Sequence, residues 1–348
     1  MIWIDIATPK YALFFSKLIP LLDDEVLITI RYSKGYEEIK NICDLHNLKY
    51  HIVGNYGGKN IKDKFLARLK RSEEFVNLFE EVGYPKLFIS GGVADSTQVA
   101  FGLGIKIINI YDTPIVLEPN YETIHNNLTA VSRLTTPFSD IVFYPWILPK
   151  ELFCSAKKAI SYNFIDVCLW MNDIKKDENK DFRDRFNIPK NRPTILVREE
   201  EYKAHYVKEK KNYIYEFVKM LQNENINIAV IPRYEDNEWK KFDNVYLVNN
   251  LKPEEFYPFI DFFIGGGGTM TLESVYYGIP TISMRSLWMI HDKYLVDNNL
   301  MFWTNDLNKA YKYFKENLGK KFDNKKYFGN CDVRKITTVI NKFLLNKV

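Results

Sequence analysis

The sequence contains no uninterrupted apolar run of the roughly 18 residues that a transmembrane helix needs. Its first residues, 1–6, follow a strand-like pattern and lack the basic region and the small-residue cleavage site of a secretory signal peptide. These two absences argue against the membrane-spanning and secreted classes. We therefore expect a soluble cytoplasmic protein.

Cysteine is scarce, with four residues in a chain of 348. Cys43, Cys154, Cys168 and Cys331 form no CxxC pair and show no zinc-ligand spacing. This pattern argues against the common zinc motifs. It predicts four unpaired thiols, buried or incidental, in a reducing compartment, and no metal site.

Neither sign of charge dominates, because 48 basic residues stand against 44 acidic ones and leave a net charge of +4. A nucleic-acid-binding protein usually concentrates basic residues on one face, so this balance argues against a nucleic-acid partner. The Lys- and Glu-rich stretch 62–81 has helical spacing and predicts a solvated helix face.

Apolar residues make up 46% of the chain, and its length of 348 residues suits two domains. Strand-like runs alternate with helical segments over residues 2–144, and the alternation restarts at Thr194 after a polar stretch. This predicts parallel sheets covered by helices, with ligands at the carboxyl ends of the strands. The predicted fold class is α/β, with two Rossmann-like, doubly wound domains over residues 1–165 and 166–330. A C-terminal helix, 331–348, is expected to pack back on the N-terminal domain.

The most informative segment is a glycine run between a predicted strand and a predicted helix. It consists of Gly265, Gly266, Gly267 and Gly268. Glycines let another group approach the backbone, and the following helix directs free N–H groups and its positive dipole end to the same place. Thr269 adds a hydroxyl that is a cap or a phosphate donor, and Glu273 is placed to accept hydrogen bonds from a ribose. The alternative is a tight turn before a helix whose Glu273 offsets the dipole. The run matches neither the Walker loop nor the GxGxxG fingerprint.

Motifs spread over nearly the whole chain share one resemblance. They are Trp3-Ile-Asp5 with Pro9, Gly57-Gly58-Lys59, Val99 to Gly104, Asp112-Thr113, Arg133 to Pro137, Val197-Arg198 with Glu200, Pro232-Arg233-Tyr234, and Gly-Gly-Thr269 to Glu273 followed by Gly278-Ile-Pro280. With this set the chain resembles DUF354, a family of predicted glycosyltransferases in the GT-B superfamily. That family is related to UDP-N-acetylglucosamine 2-epimerases and MurG-type transferases.

The resemblance implies a GT-B-like fold in which the two domains face each other across a cleft. The N-terminal domain would lie on the acceptor side, and the C-terminal domain would hold a UDP-sugar-like donor. Gly266 and Gly267 would meet the diphosphate and Glu273 the ribose. The reaction would need no metal and no cofactor, since the nucleotide sugar is the substrate. Membrane contact through Phe65 and its basic neighbours is a less favoured implication.

The chain also departs from the family pattern. Thr8-Pro-Lys-Tyr11 stands where the family has an Asn-Pro-Pro-His-Val-His motif, and Pro114 replaces a glutamate. Ala130 occupies the position of a glutamate that 2-epimerases carry. Epimerisation needs acid and base groups on both faces of the sugar, so these changes weaken the epimerase interpretation.

Three further residues are candidates for acid–base work. Asp112 ends a predicted strand and is the favoured general base, with a turn or cap role as the alternative. Asp95 follows Gly91-Gly92, where capping of a helix competes with a catalytic role. His125 is a third candidate.

Four basic residues are candidates for substrate binding. Arg198 and Arg233 each end a strand of the second domain and are suited to bidentate contact with a diphosphate. Lys59 lies in a glycine-containing loop, and Arg133 on a helix. For all four, surface exposure or a structural ion pair is the alternative.

These observations favour a metal-independent, nucleotide-sugar-dependent glycosyltransferase of GT-B type. The alternatives are a UDP-N-acetylglucosamine 2-epimerase-like enzyme and a nucleotide-sugar-binding protein without turnover. The expected partner is a small-molecule nucleotide sugar. The sequence leaves open the acceptor and the oligomeric state.

Overall fold

The structure, a computed structural model, describes residues 1–34, 36–58, 60–115, 128–200, 212–233 and 238–345. The chain forms two compact units. Within the described ranges, unit 1 comprises residues 1–115, 128–169 and 330–345, and unit 2 comprises residues 170–329.

Unit 1 is built on strands that are mostly buried, as expected for a sheet covered on both faces. The strands are β1 (Ile2–Ile6), β2 (Val26–Ile30), β3 (His51–Ile52), β4 (Leu87–Ser90), β5 (Lys106–Ile110), β6 (Ile141–Pro145) and β7 (Lys158–Tyr162). The helices are α1 (Pro9–Leu18), α2 (Glu38–Leu45), α3 (Ile61–Val82), α4 (Ala94–Gly102), α5 (Ala130–Thr135) and, near the end of the chain, α13 (Arg334–Leu344).

The seven strands of unit 1 form one parallel sheet in the order β3-β2-β1-β4-β5-β6-β7. The strand order reverses between β1 and β4, where the loops after these strands separate and leave room for a ligand. Trp3 anchors one core, because its ring lies 4.7 Å from Phe75 and 4.4 Å from Phe88, measured between ring centroids.

Unit 2 repeats this architecture. Its strands are β8 (Thr194–Arg198), β9 (Asn227–Ile231), β10 (Val245–Leu247), β11 (Phe262–Gly265), β12 (Thr281–Ser283) and β13 (Phe302–Trp303). Its helices are α7 (Phe182–Arg185), α8 (Tyr213–Met220), α9 (Pro253–Phe256), α10 (Gly268–Tyr276), α11 (Ile290–Asp297) and α12 (Leu307–Asn317). The short helix α6 (Cys168–Met171) spans the passage from unit 1 to unit 2.

The six strands of unit 2 are also parallel, in the order β10-β9-β8-β11-β12-β13. The order reverses between β8 and β11. Gly265, the last residue of β11, pairs with Arg198 of β8 and Ser283 of β12. The segments after these three strands therefore begin side by side at the same edge of the sheet. Helix α10 starts at this edge, at the point where the strand order reverses.

The sequence prediction of four unpaired cysteines is wrong for two of them. Cys168 and Cys331 form a disulfide, with Cα atoms 5.7 Å apart, and both lie in unit 1. The two residues are 163 positions apart, and only the return of the chain to unit 1 brings them together. Cys43 and Cys154 are free thiols. No helix in the described part of the chain combines the length and apolar character needed to cross a bilayer.

Candidate functional site

The start of α10 is the clearest candidate for an anion site. Gly267 is its N-cap residue and offers no side chain to cap the helix. The first N–H groups of a helix have no partner within the helix, and they carry the positive end of its dipole. Residues 267–270 are only half-buried. This end of α10 can therefore accept a negatively charged group.

The four glycines divide into two pairs with different reasons for lacking a side chain. A Cβ atom on Gly265 would lie 2.4 Å from the ring of Phe263, and one on Gly266 would lie 2.3 Å from Cβ of Glu200. The Gly266 N–H also donates to the carbonyl of Arg198. By contrast, a Cβ on Gly267 would meet only Arg198 Cγ, at 4.0 Å. Gly265 and Gly266 are therefore needed for packing, Gly267 borders open space, and Gly268 lies against the guanidinium of Arg285.

Two arginines flank this open space. Arg198 donates from Nη1 to the carbonyl of Pro232 at 3.2 Å, so its guanidinium lies across the ends of β8 and β9. Arg285 follows β12, and its Nη1 would lie 3.2 Å from a Cβ on Gly268. Arg285 Nη1 also lies 3.6 Å from the Asp292 carboxylate. Sequence reasoning did not select Arg285, although its place directly after the strand predicted over residues 281–284 was an available signal.

Two acidic residues after β8 hold the neighbouring segments in place. Glu199 accepts the backbone N–H of Arg233 at 2.8 Å. Glu200 accepts both the N–H and the hydroxyl of Ser286, at 2.9 Å and 2.6 Å. Burial raises the pKa of Glu200, against the effect of these hydrogen bonds. The side chain of Arg233 is exposed.

Glu273 lies in α10 and is almost fully buried, with 4% of its surface exposed. One carboxylate oxygen accepts the indole N–H of Trp170 and the other accepts the hydroxyl of Tyr257, both at 2.7 Å. Burial raises the pKa of Glu273 to about 7, although both hydrogen bonds act in the opposite direction. A carboxylate oxygen has two acceptor positions, so each oxygen can accept one hydrogen bond in addition to these. Contact with a ribose stays a prediction.

In unit 1, Asp112 belongs to a buried ionic cluster at the carboxyl ends of the strands. The ammonium group of Lys10 pairs with both Asp112 and Asp166, and Nζ lies 2.6 Å from Asp166 Oδ2. Tyr162 donates to Asp166 at 2.6 Å, and the Tyr11 hydroxyl lies 3.5 Å from Asp112 Oδ1. Sequence reasoning missed Lys10 and Asp166. The Lys10-Tyr11 departure from the family motif was the available signal.

Asp95 has a different environment from the one expected. The N-cap residue of α4 is Val93, and Asp95 lies in the first turn. Its carboxylate pairs with Arg71 Nη1 at 2.9 Å, and Arg71 Nη2 pairs with Asp5 at 2.6 Å. All three side chains are buried. Burial raises the pKa of Asp95, but the charge of Arg71 outweighs it and lowers the pKa overall. This arrangement favours a structural role over both capping and catalysis.

The remaining candidate residues from the sequence do not take part in the ion pairs and hydrogen bonds described above. Arg133 is exposed on α5, and Thr269 is half-buried in the first turn of α10. Lys59 and His125 lie outside the described residues. Across the described ranges, no three His, Cys, Asp or Glu side chains converge in the way a metal site requires.

Comparison with known proteins gives consistent results at the levels of family and fold. Residues 1–339 match the family described as a protein of unknown function, DUF354. An uncharacterised protein of Methanocaldococcus jannaschii is 26% identical over 337 residues, which cover 92% of each chain.

Solved structures with this fold include two groups of enzymes. The MnaA–UDP structure from S. aureus is 13% identical with a TM-score of 0.72, and the alignment covers 100% of this chain and 97% of that one. The UDP-GlcNAc 2-epimerase of M. jannaschii is 17% identical with a TM-score of 0.67 and 99% coverage of both chains. The kitacinnamycin glycosyltransferase is 10% identical with a TM-score of 0.62 and 98% coverage of both. The chain therefore belongs to the DUF354 family and has the GT-B type of α/β fold that sugar-nucleotide epimerases and glycosyltransferases share.

Proposed function

We propose that the protein is a glycosyltransferase that uses a UDP-sugar as its donor, and that unit 2 binds the nucleotide. The observation that carries this proposal is the start of α10. There, Gly267 leaves the helix end uncapped and open, and Arg198 and Arg285 lie on either side.

The charge at this position suits a diphosphate. The helix end contributes roughly half a positive charge, and the guanidinium groups of Arg198 and Arg285 add positive charge, which the Asp292 carboxylate beside Arg285 offsets in part. Guanidinium groups bind phosphate oxygens in a bidentate manner, and backbone N–H groups add further donors. Together they supply the positive charge that some other transferases take from a metal ion. The reaction we propose is therefore metal-independent.

Glu273 is proposed to bind the ribose of the nucleotide. It lies one turn into α10, beyond the residues assigned to the diphosphate. The hydrogen bonds from Trp170 and Tyr257 fix the orientation of its carboxyl group. The free acceptor position on each oxygen can then accept a ribose hydroxyl.

The transfer step is proposed to use Asp112 as general base. The acceptor hydroxyl gives its proton to the Asp112 carboxylate, and its oxygen forms a bond to the anomeric carbon of the sugar. The bond between that carbon and the diphosphate oxygen breaks, and the diphosphate leaves with the electron pair. The positive groups at the start of α10 stabilise this leaving group.

Epimerisation of the nucleotide sugar is the second candidate. It is favoured by the paired carboxylates Asp112 and Asp166, since epimerisation needs two acid–base groups. Ala130, in place of the family glutamate, opposes it.

One experiment separates the candidates. UDP-, GDP- and CMP-sugars are titrated into the full chain by calorimetry in the presence of EDTA. The tightest ligand is then incubated with and without cell extract as a source of acceptors. We expect UDP-sugar binding and a new glycoside only when extract is present. A C2-inverted sugar without extract would favour epimerisation. Binding without any product, or no binding at all, would contradict the proposal.

A further inference from the structure

The loops after β2 and β3 form a second polar surface at the carboxyl edge of the sheet in unit 1. The Tyr56 N–H donates to the Ser33 hydroxyl at 3.1 Å, and the Tyr32 N–H donates to the carbonyl of Gly54 at 3.3 Å. These two hydrogen bonds join the loops to each other. The side chains that the loops carry are therefore positioned relative to one another by the backbone.

Arg31 is the residue directly after β2, and its guanidinium has hydrogen-bond donors without partners. The side chain is half-buried, and its Nε is shielded from solvent. Among the described residues, Nε has no hydrogen-bond partner and no carboxylate forms an ion pair with the guanidinium. A shielded donor without a partner costs free energy, and a carboxylate or phosphate group would satisfy it. Arg31 is therefore suited to bind an anion.

Two buried carboxylates of unit 1 bind a different arginine. Arg71 pairs with Asp5 at 2.6 Å and with Asp95 at 2.9 Å. Burial raises the pKa of Asp95, but the charge of Arg71 and, after it, the charge of Arg31 lower it, and the net shift is downward. Arg31 thus acts on Asp95 through space and without a hydrogen bond. Its donors stay available for a ligand.

Two tyrosine rings lie beside Arg31. The ring centroid of Tyr56 is 5.6 Å from Cζ of Arg31, and Tyr36 stacks on Tyr56 with ring centroids 4.7 Å apart and planes at 28°. The Tyr36 side chain is 59% exposed. Tyrosines offer a rigid apolar ring and a hydroxyl, which suit the C–H groups and the hydroxyls of a sugar ring. The guanidinium adds recognition of negative charge.

We propose that Arg31, Tyr36 and Tyr56 form an acceptor subsite that binds a sugar ring carrying a negatively charged group, either a carboxylate or a phosphate. The guanidinium binds the charged group through its N–H donors, and the tyrosines contact the ring. The proposal rests on the proposed transferase function, because it assigns the subsite to the acceptor. The diphosphate of the donor is assigned to unit 2, so the anion bound in unit 1 is a different one.

The place of this subsite along the sheet bears on the size of the acceptor. Strands β2 and β5 are separated by β1 and β4 in the strand order. Neighbouring strands lie about 4.8 Å apart, which places Arg31 about 14 Å from the end of β5, where Asp112 lies. This distance exceeds the width of one sugar ring. The charged ring is therefore a different unit from the one whose hydroxyl reacts, and we expect an acceptor of at least two sugar units.

The test is a titration of the full-length protein with three sugars, followed by NMR of the arginine Nε–H groups. Methyl glucuronide carries a carboxylate, glucose 6-phosphate carries a phosphate, and methyl glucoside is neutral. The Arg31 signal is assigned by its loss in Arg31→Gln. We expect this signal to shift with at least one charged sugar, with a Kd of about 1 mM or tighter, and binding of methyl glucoside to be at least about tenfold weaker.

The charged sugar that binds more tightly identifies the group as a carboxylate or a phosphate. Acetate and inorganic phosphate are titrated in parallel, and we expect both to bind at least about tenfold more weakly than that sugar, because they make no contact with the tyrosines. The Nε of Arg334 donates to Asp332 and supplies an internal control signal that should not shift.

Two variants test the two parts of the subsite. Arg31→Gln should weaken binding of the charged sugar at least about tenfold, because it removes the cation. Tyr36→Ala should weaken it about threefold, because it removes an exposed ring. Tyr84→Ala removes another exposed tyrosine of unit 1 and should leave the affinity unchanged. Should Arg31→Gln fail to fold, the wild-type titration and Tyr36→Ala decide.

The proposal is overturned if the Arg31 signal does not shift, if methyl glucoside or the simple anions bind as tightly as the charged sugars, or if either variant keeps the wild-type affinity. These outcomes are independent of the proposed function, which is tested by UDP binding in unit 2. A protein that binds UDP but no charged sugar would refute only the subsite. A protein that binds the charged sugar at Arg31 but no nucleotide sugar would refute the proposed function and leave a binding site for anionic sugars.

Discussion

Each unit of the molecule buries a carboxylate near the carboxyl ends of its parallel strands, but the two carboxylates are stabilised differently. In unit 1, Asp112 and Asp166 share the ammonium group of Lys10. In unit 2, Glu273 accepts hydrogen bonds from two neutral donors, Trp170 and Tyr257. The carboxylates of unit 1 therefore have a cation beside them, whereas Glu273 has only neutral donors and is close to half-protonated at neutral pH, with its pKa at about 7.

The comparison shows how the surroundings of a carboxyl group determine its chemical properties. A carboxylate beside a buried cation is stabilised in its charged form by that cation. A carboxyl group that is stabilised only by neutral donors remains a hydrogen-bonding group in either protonation state. It suits recognition of a neutral partner such as a sugar hydroxyl.

The largest expected effect comes from removing the cation in unit 1. Lys10→Met removes the ammonium group that two buried carboxylates share, and breaking a buried ion pair in this way costs about 3–5 kcal/mol of unfolding free energy. Urea denaturation monitored by circular dichroism would measure the loss. The control Lys40→Met, in the exposed pair with Asp44, should change stability by at most about 0.5 kcal/mol. Equal losses of stability in Lys10→Met and Lys40→Met would contradict the view that the buried ion pairs of Lys10 matter more than an exposed pair.

The next effect is the pH dependence of stability contributed by Glu273. Its pKa is raised from 4.5 in the unfolded chain to about 7 in the folded one, so the folded state binds more protons between these values. Stability from this group is therefore fully present below pH 4.5 and is lost as pH rises through 7, by about 3 kcal/mol in total.

Glu273→Gln should remove this component while preserving the size of the side chain. Urea unfolding at pH 5 and pH 8 would show a smaller difference in the variant than in the wild-type protein. Glu316→Gln, at an exposed position, serves as the control. An unchanged pH dependence in Glu273→Gln would show that Glu273 is ionised over this whole pH range.

The smallest effect concerns one of the neutral donors. Tyr257→Phe removes a hydrogen bond to Glu273 and should cost about 1–2 kcal/mol at pH 8, where the carboxylate is charged. At pH 5 the loss should be smaller, because hydrogen bonds to a neutral carboxyl are weaker. Unfolding measured at both pH values checks the difference. A loss that does not vary with pH would indicate a packing effect of the hydroxyl rather than a hydrogen bond to a titrating group.

Much of the fold could be predicted from local sequence patterns. Helix α3 (Ile61–Val82) covers the stretch 62–81 that helical spacing predicted, and strands β1 to β5 lie within the alternation predicted over residues 2–144. Strands β7 and β13 were not predicted. The first is a partly exposed strand at the edge of its sheet, and the second has two residues that form a strand only through pairing with β12.

The candidate site could be predicted only in part. The glycine run located the start of α10, but the reason for each glycine depends on distant residues such as Phe263 and Glu200. The ion-pair partners of Asp112 and Asp95 could not be predicted from local sequence either, because Lys10 and Arg71 lie 102 and 24 positions away along the chain. The same holds for the disulfide partners. Local pattern predicts elements, whereas charge pairing between elements is fixed by the tertiary fold.

The proposed function depends on binding of a diphosphate at the open start of α10. Gly267 has an extended backbone, with φ −115° and ψ 153°, which residues other than glycine also adopt. A Cβ atom at this position would lie 4.0 Å from Arg198 Cγ, so a side chain can be added there without a clash. Asp and Asn are of equal size and are equally good N-cap residues, so Gly267→Asp and Gly267→Asn differ essentially in one negative charge.

The most direct measurement is therefore a calorimetric titration of UDP into these two variants and the wild-type protein. We predict that Gly267→Asp lowers the affinity at least about tenfold relative to Gly267→Asn, which corresponds to about 1.4 kcal/mol, while both variants unfold at or above the wild-type temperature. Equal UDP affinity in the two variants would contradict the claim.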